Sequence, residues 1–301
     1  MNSLKVVIPN GSMESVILGL LDRAGLPVNF DRKASHIGSV EASWIESVAL
    51  RRPQYIPQRL AEGQYDLAVV GEDWIANWGL EGTLPVLKKL PIGRNGNKPI
   101  RIVVAAAQDS GITELHQLPR KCRVATEYVN LAKRFFSTVP RDDIEVVFSF
   151  GGTEHLIAEG EATAIVEVTE SGRSLTENGL TIIHTVMESS TVVVANPEVY
   201  ADDRARFHMQ FLADLIEGAY QATQHVLIVA NVPAGKMDEV CAILGGLEGP
   251  TYAPVRTRDG SDWYAVQSVV PKDKEVGIAL ELKKLGATGI LTMDPIQRIM
   301  M

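Results

Sequence analysis

The chain has 301 residues, 46% of them hydrophobic and 22% charged, and a formal net charge of −8 at pH 7. This composition is typical of a globular protein with enough length for two or three domains, and the acidic balance argues against nucleic-acid binding. The two cysteines, Cys122 and Cys241, lie far apart and outside any CxxC pattern, so neither a disulfide framework nor a zinc site is predicted.

The start of the chain predicts a cytoplasmic protein that does not associate with membranes. Its first apolar stretch, within MNSLKVVIPNG, contains a lysine and reaches Pro-Asn-Gly too early for a signal peptide. No apolar run in the sequence approaches the length of a membrane-spanning helix.

The N-terminal part of the chain opens with one complete βα unit. A strand over residues 5–8 leads through the turn Pro9-Asn10-Gly11-Ser12 into a helix, whose apolar residues recur at helical spacing until Gly25 ends it. Strand and helix patterns then continue to alternate, which predicts an α/β fold with mainly parallel sheets.

A second strand, over residues 67–70, ends in the segment Gly71, Glu72 and Asp73. We interpret this segment as a turn at the sheet edge where ligands of open α/β sheets collect. A plain surface turn is an equally good interpretation of the same residues.

A second α/β lobe is predicted after residues 93–99, whose glycines, asparagines and proline indicate a hinge. The strand patterns that follow cover residues 101–106, 122–125, 144–148, 164–168, 181–186 and 191–195. A long amphipathic helix comes next, with Phe207, Phe211 and Leu215 on one face. We expect this last part to return to the first lobe.

The strand over residues 164–168 runs into a segment of different chemistry. It meets two carboxylates, Glu167 and Glu170, and gives way to Ser171, Gly172, Arg173 and Ser174. Free backbone N–H groups at a helix start, a glycine that allows close approach and two hydroxyls together suit a phosphate. The carboxylates would repel that phosphate, so we expect them to face ribose hydroxyls or a magnesium ion. The alternative is an ordinary helix cap with solvated glutamates.

The C-terminal residues follow the order strand, helix, strand, strand, helix, strand. The patterns cover residues 226–231, 236–244, 251–256, 262–270, 275–285 and 289–293. Asp259 and Gly260 predict a tight turn between the two central strands. This is the ferredoxin-like, split βαβ order, and it predicts a separate small α+β domain.

Several segments spread over nearly the whole chain carry a resemblance to a known family. They are VVIPNGSMESVILGLLDRAGL, RRPQYIPQRLAEGQYDLAVVGEDWI, RVATEYVNLAKRFF, FSFGGTEHLIAEGEATAIVEVTESGRSLTENGL, GLEGPTYAPV and LKKLGATGIL. In these segments the chain resembles the ATP phosphoribosyltransferases of histidine biosynthesis, in the long form that carries a C-terminal regulatory domain.

The resemblance implies two periplasmic-binding-protein-like α/β lobes with a cleft between them, plus a C-terminal ACT-like domain. The first lobe is expected to comprise residues 1–92 and 185–222, and the second lobe residues 93–184, which include the phosphoribosyl pyrophosphate loop. Residues 223–301 form the expected regulatory domain.

The resemblance also implies an activity, its cofactor and its partners. The expected reaction joins ATP and 5-phosphoribosyl 1-pyrophosphate into 1-(5-phosphoribosyl)-ATP and releases pyrophosphate, with Mg²⁺ as cofactor. L-Histidine is the expected feedback inhibitor, and the expected assembly is a homo-oligomer, with dimers and hexamers typical of the family. Two alternatives from other classes are a non-catalytic small-molecule binding protein and an amino-acid sensor of the same fold.

The site residues follow from the same resemblance, position by position. The catalytic residues implied are Glu167, which meets the ribose hydroxyls, and Arg52 and Asn10 on the polyphosphate side. The substrate-binding residues are the loop Glu170, Ser171, Gly172, Arg173, Ser174 and Leu175, together with Gly11. Gly71, Glu72 and Asp73 join them because of their position at a strand end, as described above. The allosteric residues are Leu247, Gly249, Thr251 and Ala287, and no metal ligands are assigned.

Three of these positions depart from the family pattern. Asn10 stands where the first turn of the family carries a lysine, Arg173 stands where the family often has a small residue, and Gly249 stands where many members carry a serine. Asn10 can donate and accept hydrogen bonds, but it cannot neutralise the charge of a phosphate.

Overall fold

The computed structural model describes residues 3–30, 36–93, 98–246, 249–256 and 260–300. The chain forms two compact units, the first made of Met1–Asp22 and Leu26–Ala213 and the second of Arg23–Gly25 and Asp214–Met301. In the described ranges, no helix is both long enough and apolar enough to cross a membrane.

The first unit consists of alternating strands and helices. Its strands are β1 (Leu4–Pro9), β2 (Ile37–Gly38), β3 (Ile45–Arg51), β4 (Leu67–Gly71), β5 (Val86–Leu90), β6 (Ile100–Ala107), β7 (Arg123–Thr126), β8 (Glu145–Phe148), β9 (Ala164–Thr169), β10 (Leu180–Ser189) and β11 (Thr191–Ala195). Its helices are α1 (Glu14–Arg23), α2 (Ile56–Ala61), α3 (Glu72–Trp78), α4 (Val129–Ser137), α5 (His155–Ala158), α6 (Arg173–Glu177) and α7 (Pro197–Tyr200), and α8 (Asp203–Gln224) begins in this unit and continues into the second. Short 3₁₀ turns occupy Gly11–Met13, Pro53–Tyr55, Gln108–Ser110 and Leu115–Gln117. The predicted strands of this unit are thus confirmed to within one residue at each end, except that β10 continues three residues beyond the predicted end at residue 186.

The strands of the first unit form two mixed sheets. The first has the order β2-β3-β1-β4-β11-β5, in which β1 is parallel to β3 and β4 while the other pairs are antiparallel. The second has the order β10-β6-β9-β7-β8, in which β7 is parallel to β8 and β9 while β6 is antiparallel to both neighbours. The expectation of mainly parallel sheets is therefore wrong. An apolar run shows that a strand is buried and says nothing about its direction.

One apolar core connects the two sheets. Val7 and Val70 of the first sheet belong to the same buried cluster as Ile102 and Val166 of the second. The chain passes from the first sheet to the second after β5, and it returns between β10 and β11 at Ser189 and Ser190. The predicted lobe boundary at residue 184 falls within β10, and the division into lobes stays a prediction.

The segment after β4 corrects one local prediction. Gly71 ends the strand as expected, but Glu72 and Asp73 form the first turn of α3 rather than an open surface turn. Gly79, with a φ of 67°, ends that helix in the left-handed conformation.

The second unit has the predicted βαββαβ order. Its elements are β12 (His225–Pro233), α9 (Met237–Leu244), β13 (Thr251–Arg256), β14 (Asp262–Pro271), α10 (Glu275–Lys284) and β15 (Thr288–Met293), with 3₁₀ turns at Ala234–Lys236 and Lys272–Lys274. The strands form an antiparallel sheet of order β13-β14-β12-β15. Alternate residues of β12, such as Ile228 and Val232, are buried against Val240 of α9 and Leu282 of α10. The predicted turn at Asp259 lies outside the described residues.

Candidate active site

The carboxyl ends of three parallel strands meet at one edge of the first sheet. Because β1, β3 and β4 run in the same direction, Asn10, Arg52 and Gly71, which end or follow these strands, lie at the same edge. The cavity at this edge is lined by Asn10, Gly71, Asp73, Trp74, Tyr128 and Ser189, among others. Arg52 lines a neighbouring pocket that shares Trp74 with this cavity. The structure therefore brings together three predicted positions of the first lobe.

Asp73 is buried at this edge and bonded to two hydroxyl groups. Its Oδ2 accepts a hydrogen bond of 2.8 Å from the Tyr128 hydroxyl, and its Oδ1 accepts one of 2.7 Å from the Ser189 hydroxyl. Its own N–H donates to the Oγ of Ser189 at 3.0 Å, and Trp74 stacks on the Tyr128 ring with a centroid distance of 4.2 Å. Asp73, Tyr128 and Ser189, which we call the carboxylate clamp, thus tie α3 to the start of α4 and the end of β10.

Glu72 binds Ser190, the residue that connects β10 to β11. Its carboxylate accepts the N–H of Ser190 at 2.9 Å and contacts Nζ of Lys89 at 2.9 Å. Its own N–H donates to the carbonyl oxygen of Ser190 at 3.0 Å. Glu72 and Asp73, which the sequence predicted as substrate-binding residues, therefore both bind the segment that connects β10 to β11.

Gly11 and Asn10 form the turn that follows β1. Gly11 is exposed, has a φ of 83°, and its N–H donates to Oε2 of Glu14 at 3.3 Å. Asn10 is partly exposed and lines the cavity. This turn therefore presents an amide side chain and backbone to the sheet edge.

The predicted phosphate loop, residues 170–175, comprises the three-residue connection from β9 to α6 and the first three residues of α6. Gly172 has a φ of 82° and precedes the first residue of the helix, and Leu175 is buried beneath the loop. The N–H of Gly172 donates to Oγ1 of Thr169 at 2.8 Å, and the N–H of Arg173 donates to Oγ of Ser171 at 3.3 Å. The expectation of free N–H groups needs correction here, because hydroxyls next to and within the loop already bind two of them.

The side chains of the phosphate loop are mostly exposed. Ser171 and Ser174 face solvent, and the exposed Arg173 forms an ion pair with Glu177 one turn along α6, at 2.6 Å. The loop begins beside Gly93, where an added Cβ would lie 3.4 Å from Cδ of Glu170. Since Gly93 also lines the cavity at the first sheet edge, the loop and that cavity are neighbours.

Glu167 lies on β9, two residues before the strand ends. It pairs with Val103 across the sheet, on the face that carries Ile165 and Leu175 rather than the face of the shared core. Its Oε1 accepts the N–H of Val168 at 2.8 Å. The partly exposed carboxylate thus lies near the phosphate loop, and its contact with ribose stays a prediction.

The predicted allosteric positions lie at opposite edges of the C-terminal sheet. Thr251 begins the edge strand β13 and is exposed, and the exposed Gly249 precedes it. Ala287 is buried in the domain core just before β15, the other edge strand. Leu247 lies outside the described residues. Two strands separate β13 from β15, so one copy of this sheet keeps Thr251 and Ala287 apart by about 14 Å.

An ion pair between Arg141 and Asp143, just before β8, lowers the pKa of the aspartate. Arg141 contacts Asp143 at 2.8 Å and donates to the carbonyl oxygen of Leu118 at 2.6 Å. The hydrogen bond from Arg141, aided by the N–H of Lys121, lowers the pKa of Asp143 from 3.8 to about 2.

Tyr128 and Ser189 are site residues that the sequence did not reveal. Tyr128 comes two residues after the end of β7, and Ser189 ends β10 before the chain returns to the first sheet, so each lies at a strand end, where ligands collect. This position at a strand end is the feature of the sequence from which both residues could have been predicted. Among the described residues, no group of three or more His, Cys, Asp or Glu side chains is arranged to hold a metal ion.

Comparisons with known proteins match nearly the full length of the chain to one family. The family model for ATP phosphoribosyltransferase matches residues 52–218, and the model for the HisG C-terminal domain matches residues 222–297. An ATP phosphoribosyltransferase of Desulfosudis oleivorans is 34% identical over 288 residues, and one of Nitratidesulfovibrio vulgaris is 35% identical over 293 residues. Each alignment covers 96% of this chain and 96% of the relative.

A solved structure matches the fold of the larger part of the chain. It is the ATP phosphoribosyl transferase (HisG:HisZ) complex from Thermotoga maritima, with a TM-score of 0.59 and 28% sequence identity. The match covers 71% of this chain and 98% of that chain.

Proposed function

The chain belongs to the ATP phosphoribosyltransferase family, and from this premise we propose that its two substrates meet where the phosphate loop adjoins the edge of the first sheet. The chain is thus a pentosyltransferase of histidine biosynthesis. The observation that carries the proposal is the position of Gly93, which lines the cavity with Asn10 and lies against Glu170 of the loop.

The phosphate loop is our candidate for the 5-phosphate of phosphoribosyl pyrophosphate. The left-handed Gly172 turns the backbone at the start of α6, and the hydroxyls of Thr169 and Ser171 bind its N–H groups. A phosphate oxygen would take the place of these hydroxyls as acceptor, and each hydroxyl could then donate to the same anion. Glu167 on the preceding strand is our candidate for the ribose hydroxyls.

The other edge of the cavity is our candidate for the polyphosphate groups. Asn10 and Gly11 present amide and backbone groups there, and the exposed Arg52 supplies a positive charge in the adjoining pocket. Asp73 acts mainly through the carboxylate clamp, and Glu72 acts through its bond to the N–H of Ser190, a residue that lines the same cavity.

The family generally uses a divalent metal ion, and we propose Mg²⁺ for this chain. Mg²⁺ is commonly bound by one or two carboxylates together with substrate phosphates rather than by an all-protein cage. Glu167 lies on β9 before the phosphate loop and Glu170 is the first residue of the loop, and this donor set fits that mode of binding. When bound, the ion neutralises charge on the departing pyrophosphate.

Little proton transfer is required of the protein in this reaction. A ring nitrogen of adenine attacks the anomeric carbon with its own lone pair, and the bond from that carbon to pyrophosphate breaks. The contributions of the chain are to position the two substrates and to match the charge of the transition state, through Glu167 at the sugar and Arg52 at the phosphates.

L-Histidine binding and self-assembly are proposed together. Thr251 and Ala287 lie at opposite edges of the C-terminal sheet, so a ligand that touches both positions must lie between two copies of the domain. We therefore propose a homo-oligomer in which histidine inhibits from such an interface, with a coupling free energy of about 1–3 kcal/mol. We also propose that the protein is cytoplasmic, because its substrate ATP is present in that compartment.

Pyrophosphate release tests the proposed reaction. The protein is mixed with ATP, phosphoribosyl pyrophosphate and MgCl₂, and pyrophosphate and 1-(5-phosphoribosyl)-ATP are quantified. We expect the two products in a 1:1 ratio, loss of activity in EDTA, and recovery when MgCl₂ is restored. A folded protein that forms neither product under these conditions would contradict the proposal and favour a binding protein of the same fold.

A further inference from the structure

The chain contains three asparagine–glycine pairs, and one of them forms the turn at the candidate site. Asn10 and Gly11 follow β1, Asn178 and Gly179 follow α6, and the pair at residues 95–96 lies outside the described residues. An asparagine that precedes glycine is prone to deamidation, because glycine has no Cβ to hinder attack of its backbone nitrogen on the asparagine side chain. The surroundings of each pair then decide how fast that reaction proceeds.

The two described pairs resemble each other at the glycine. Gly11 and Gly179 are both exposed, with φ values of 83° and 69°. Apart from the chain neighbours, no atom lies within 4 Å of a Cβ added to either glycine. Neither the sequence nor the free space around the glycine therefore distinguishes the two pairs.

Hydrogen bonds hold the second pair at the end of α6. The N–H of Gly179 donates to the carbonyl oxygen of Thr176 at 3.0 Å. The side-chain nitrogen of Asn178 donates to the carbonyl oxygen of Ser174 at 2.9 Å. Both groups that must react with each other are thus bound to the backbone of the helix.

The first pair is arranged differently. Asn10 has an extended backbone, with a φ of −85° and a ψ of 174°, and its side chain does not cap the turn that follows. The N–H of Gly11 donates to Oε2 of Glu14 at 3.3 Å, which is a long bond to a partly exposed carboxylate. The nitrogen of Gly11 therefore faces a group that accepts its proton.

We propose that Asn10 is a site of spontaneous deamidation and that Glu14 assists the reaction as a general base. The Glu14 carboxylate takes the proton of the Gly11 N–H, and the nitrogen forms a bond to Cγ of Asn10. The bond from Cγ to the side-chain nitrogen then breaks, and that nitrogen leaves as ammonia with the proton returned by Glu14. A cyclic succinimide remains, and water opens either of its carbonyls to leave aspartate or isoaspartate at residue 10.

The product changes the charge of the candidate site. Asn10 lines the cavity at the edge of the first sheet, so deamidation adds a negative charge to that edge. This consequence rests on the proposed function, which places polyphosphate groups there, and like charges repel. The chain therefore loses affinity for its substrates as it ages. Lysine, which the family carries at this position, does not undergo the reaction.

Peptide mapping by mass spectrometry, after the folded protein has been incubated in neutral buffer, tests the modification. Asn10 is expected to deamidate faster than Asn178 by about tenfold or more, because the hydrogen bonds at the second pair must break first. Asn178 is the more exposed of the two side chains, so exposure alone predicts the opposite order. In urea, where the fold is lost, the two rates should become similar. Equal rates in the folded protein, or a difference that persists in urea, would overturn the assignment.

Glu14→Gln tests the general base. It is expected to slow deamidation of Asn10 by about tenfold and to leave the rate at Asn178 unchanged. The matched control is Asp22→Asn, which removes an exposed carboxylate from the far end of α1 and should change neither rate. An unchanged or faster reaction of Asn10 in Glu14→Gln would overturn the role of Glu14.

Turnover separates the modification from the proposed function. Pyrophosphate release by wild type should decline in step with the deamidated fraction, whereas the rate of Asn10→Gln, whatever its initial value, should stay constant during the incubation. Asn10→Asp should raise KM for the substrates by about tenfold. An active wild type that deamidates without loss of turnover would confirm the modification and overturn its effect on the substrates. An inactive wild type would contradict the proposed function, and the masses would still decide whether Asn10 is the modified residue.

Discussion

The edge of the first sheet and the phosphate loop of the second are held in place by different means. At the first edge, Asp73 is 2% exposed, and its carboxylate binds Tyr128 and Ser189, which come from distant parts of the chain. In the loop, the side chains are mostly exposed, and the N–H of Gly172 is bound by the neighbouring Thr169. Tertiary contacts thus shape the first edge, whereas the loop depends on its own sequence.

This difference separates two kinds of mutational effect. A buried carboxylate bonded across elements contributes to the free energy of unfolding, because its removal leaves hydroxyl groups without partners. An exposed loop contributes little to stability and much to ligand binding, because its backbone is shaped for the ligand. Substitutions at the two places should therefore change different measured quantities.

The largest expected effect is that of Gly172→Val on catalysis. Gly172 has a φ of 82°, which a β-branched residue resists, so the loop backbone must change. We expect kcat/KM to fall by about 100-fold or more, equivalent to roughly 3 kcal/mol. The matched control is Gly179→Val, which has a φ of 69° at the other end of α6 and open space around the position. Equal kcat/KM in the two variants would show that the loop is not the phosphate site.

Glu167→Ala is expected to lower kcat/KM by a comparable factor, about 100-fold, since it removes a charge beside the sugar. The free energy of unfolding should change by less than about 1 kcal/mol, because the carboxylate is partly exposed. Steady-state kinetics and urea denaturation measure the two quantities. Glu159→Ala, at an exposed carboxylate beyond α5, should alter neither, and a near-normal kcat/KM in Glu167→Ala would remove this residue from the sugar site.

Asp73→Ala is expected to act on stability first. It leaves the hydroxyls of Tyr128 and Ser189 without their carboxylate, so the free energy of unfolding should fall by about 2–4 kcal/mol. Ser171→Ala in the exposed loop should change it by less than about 0.5 kcal/mol. Chemical denaturation compares the two variants, and an equal loss in both would refute the distinction between the edge and the loop.

Asp143→Asn is expected to have the smallest effect, which is a loss of stability that depends on pH. Because the folded-state pKa of Asp143 is about 2 and its usual value is 3.8, its ionised form stabilises the folded protein above about pH 4. That stabilisation disappears as the pH falls through 2. We expect the urea midpoint of the variant to lie below that of wild type at pH 6, with the gap narrowing toward pH 3. A gap that stays constant or widens as the pH falls would be the contrary result.

The sequence predicted strands and local motifs better than it predicted tertiary contacts. Strand positions and the βαββαβ order were accessible because apolar runs and turn residues are local signals. The direction of β11 could not be predicted, because a strand that is buried on both faces has the same composition whether it is parallel or antiparallel to its neighbours.

The candidate site divides in the same way. The phosphate loop could be proposed because its residues are contiguous, although the bond from the Gly172 N–H to Thr169 could not. The clamp joins Asp73 to residues 55 and 116 positions away in the sequence, and no local pattern reports such a contact.

The position of the 5-phosphate in a crystal structure with phosphoribosyl pyrophosphate and MgCl₂ tests the central claim most directly. The account predicts phosphate oxygens within about 3 Å of backbone N–H groups of residues 171–175, with the Thr169 or Ser171 hydroxyl turned toward the anion. It also predicts that Asp73 keeps its bonds to Tyr128 and Ser189. A 5-phosphate bound at Asn10 or Arg52, with the loop unchanged and unoccupied by substrate, would contradict it.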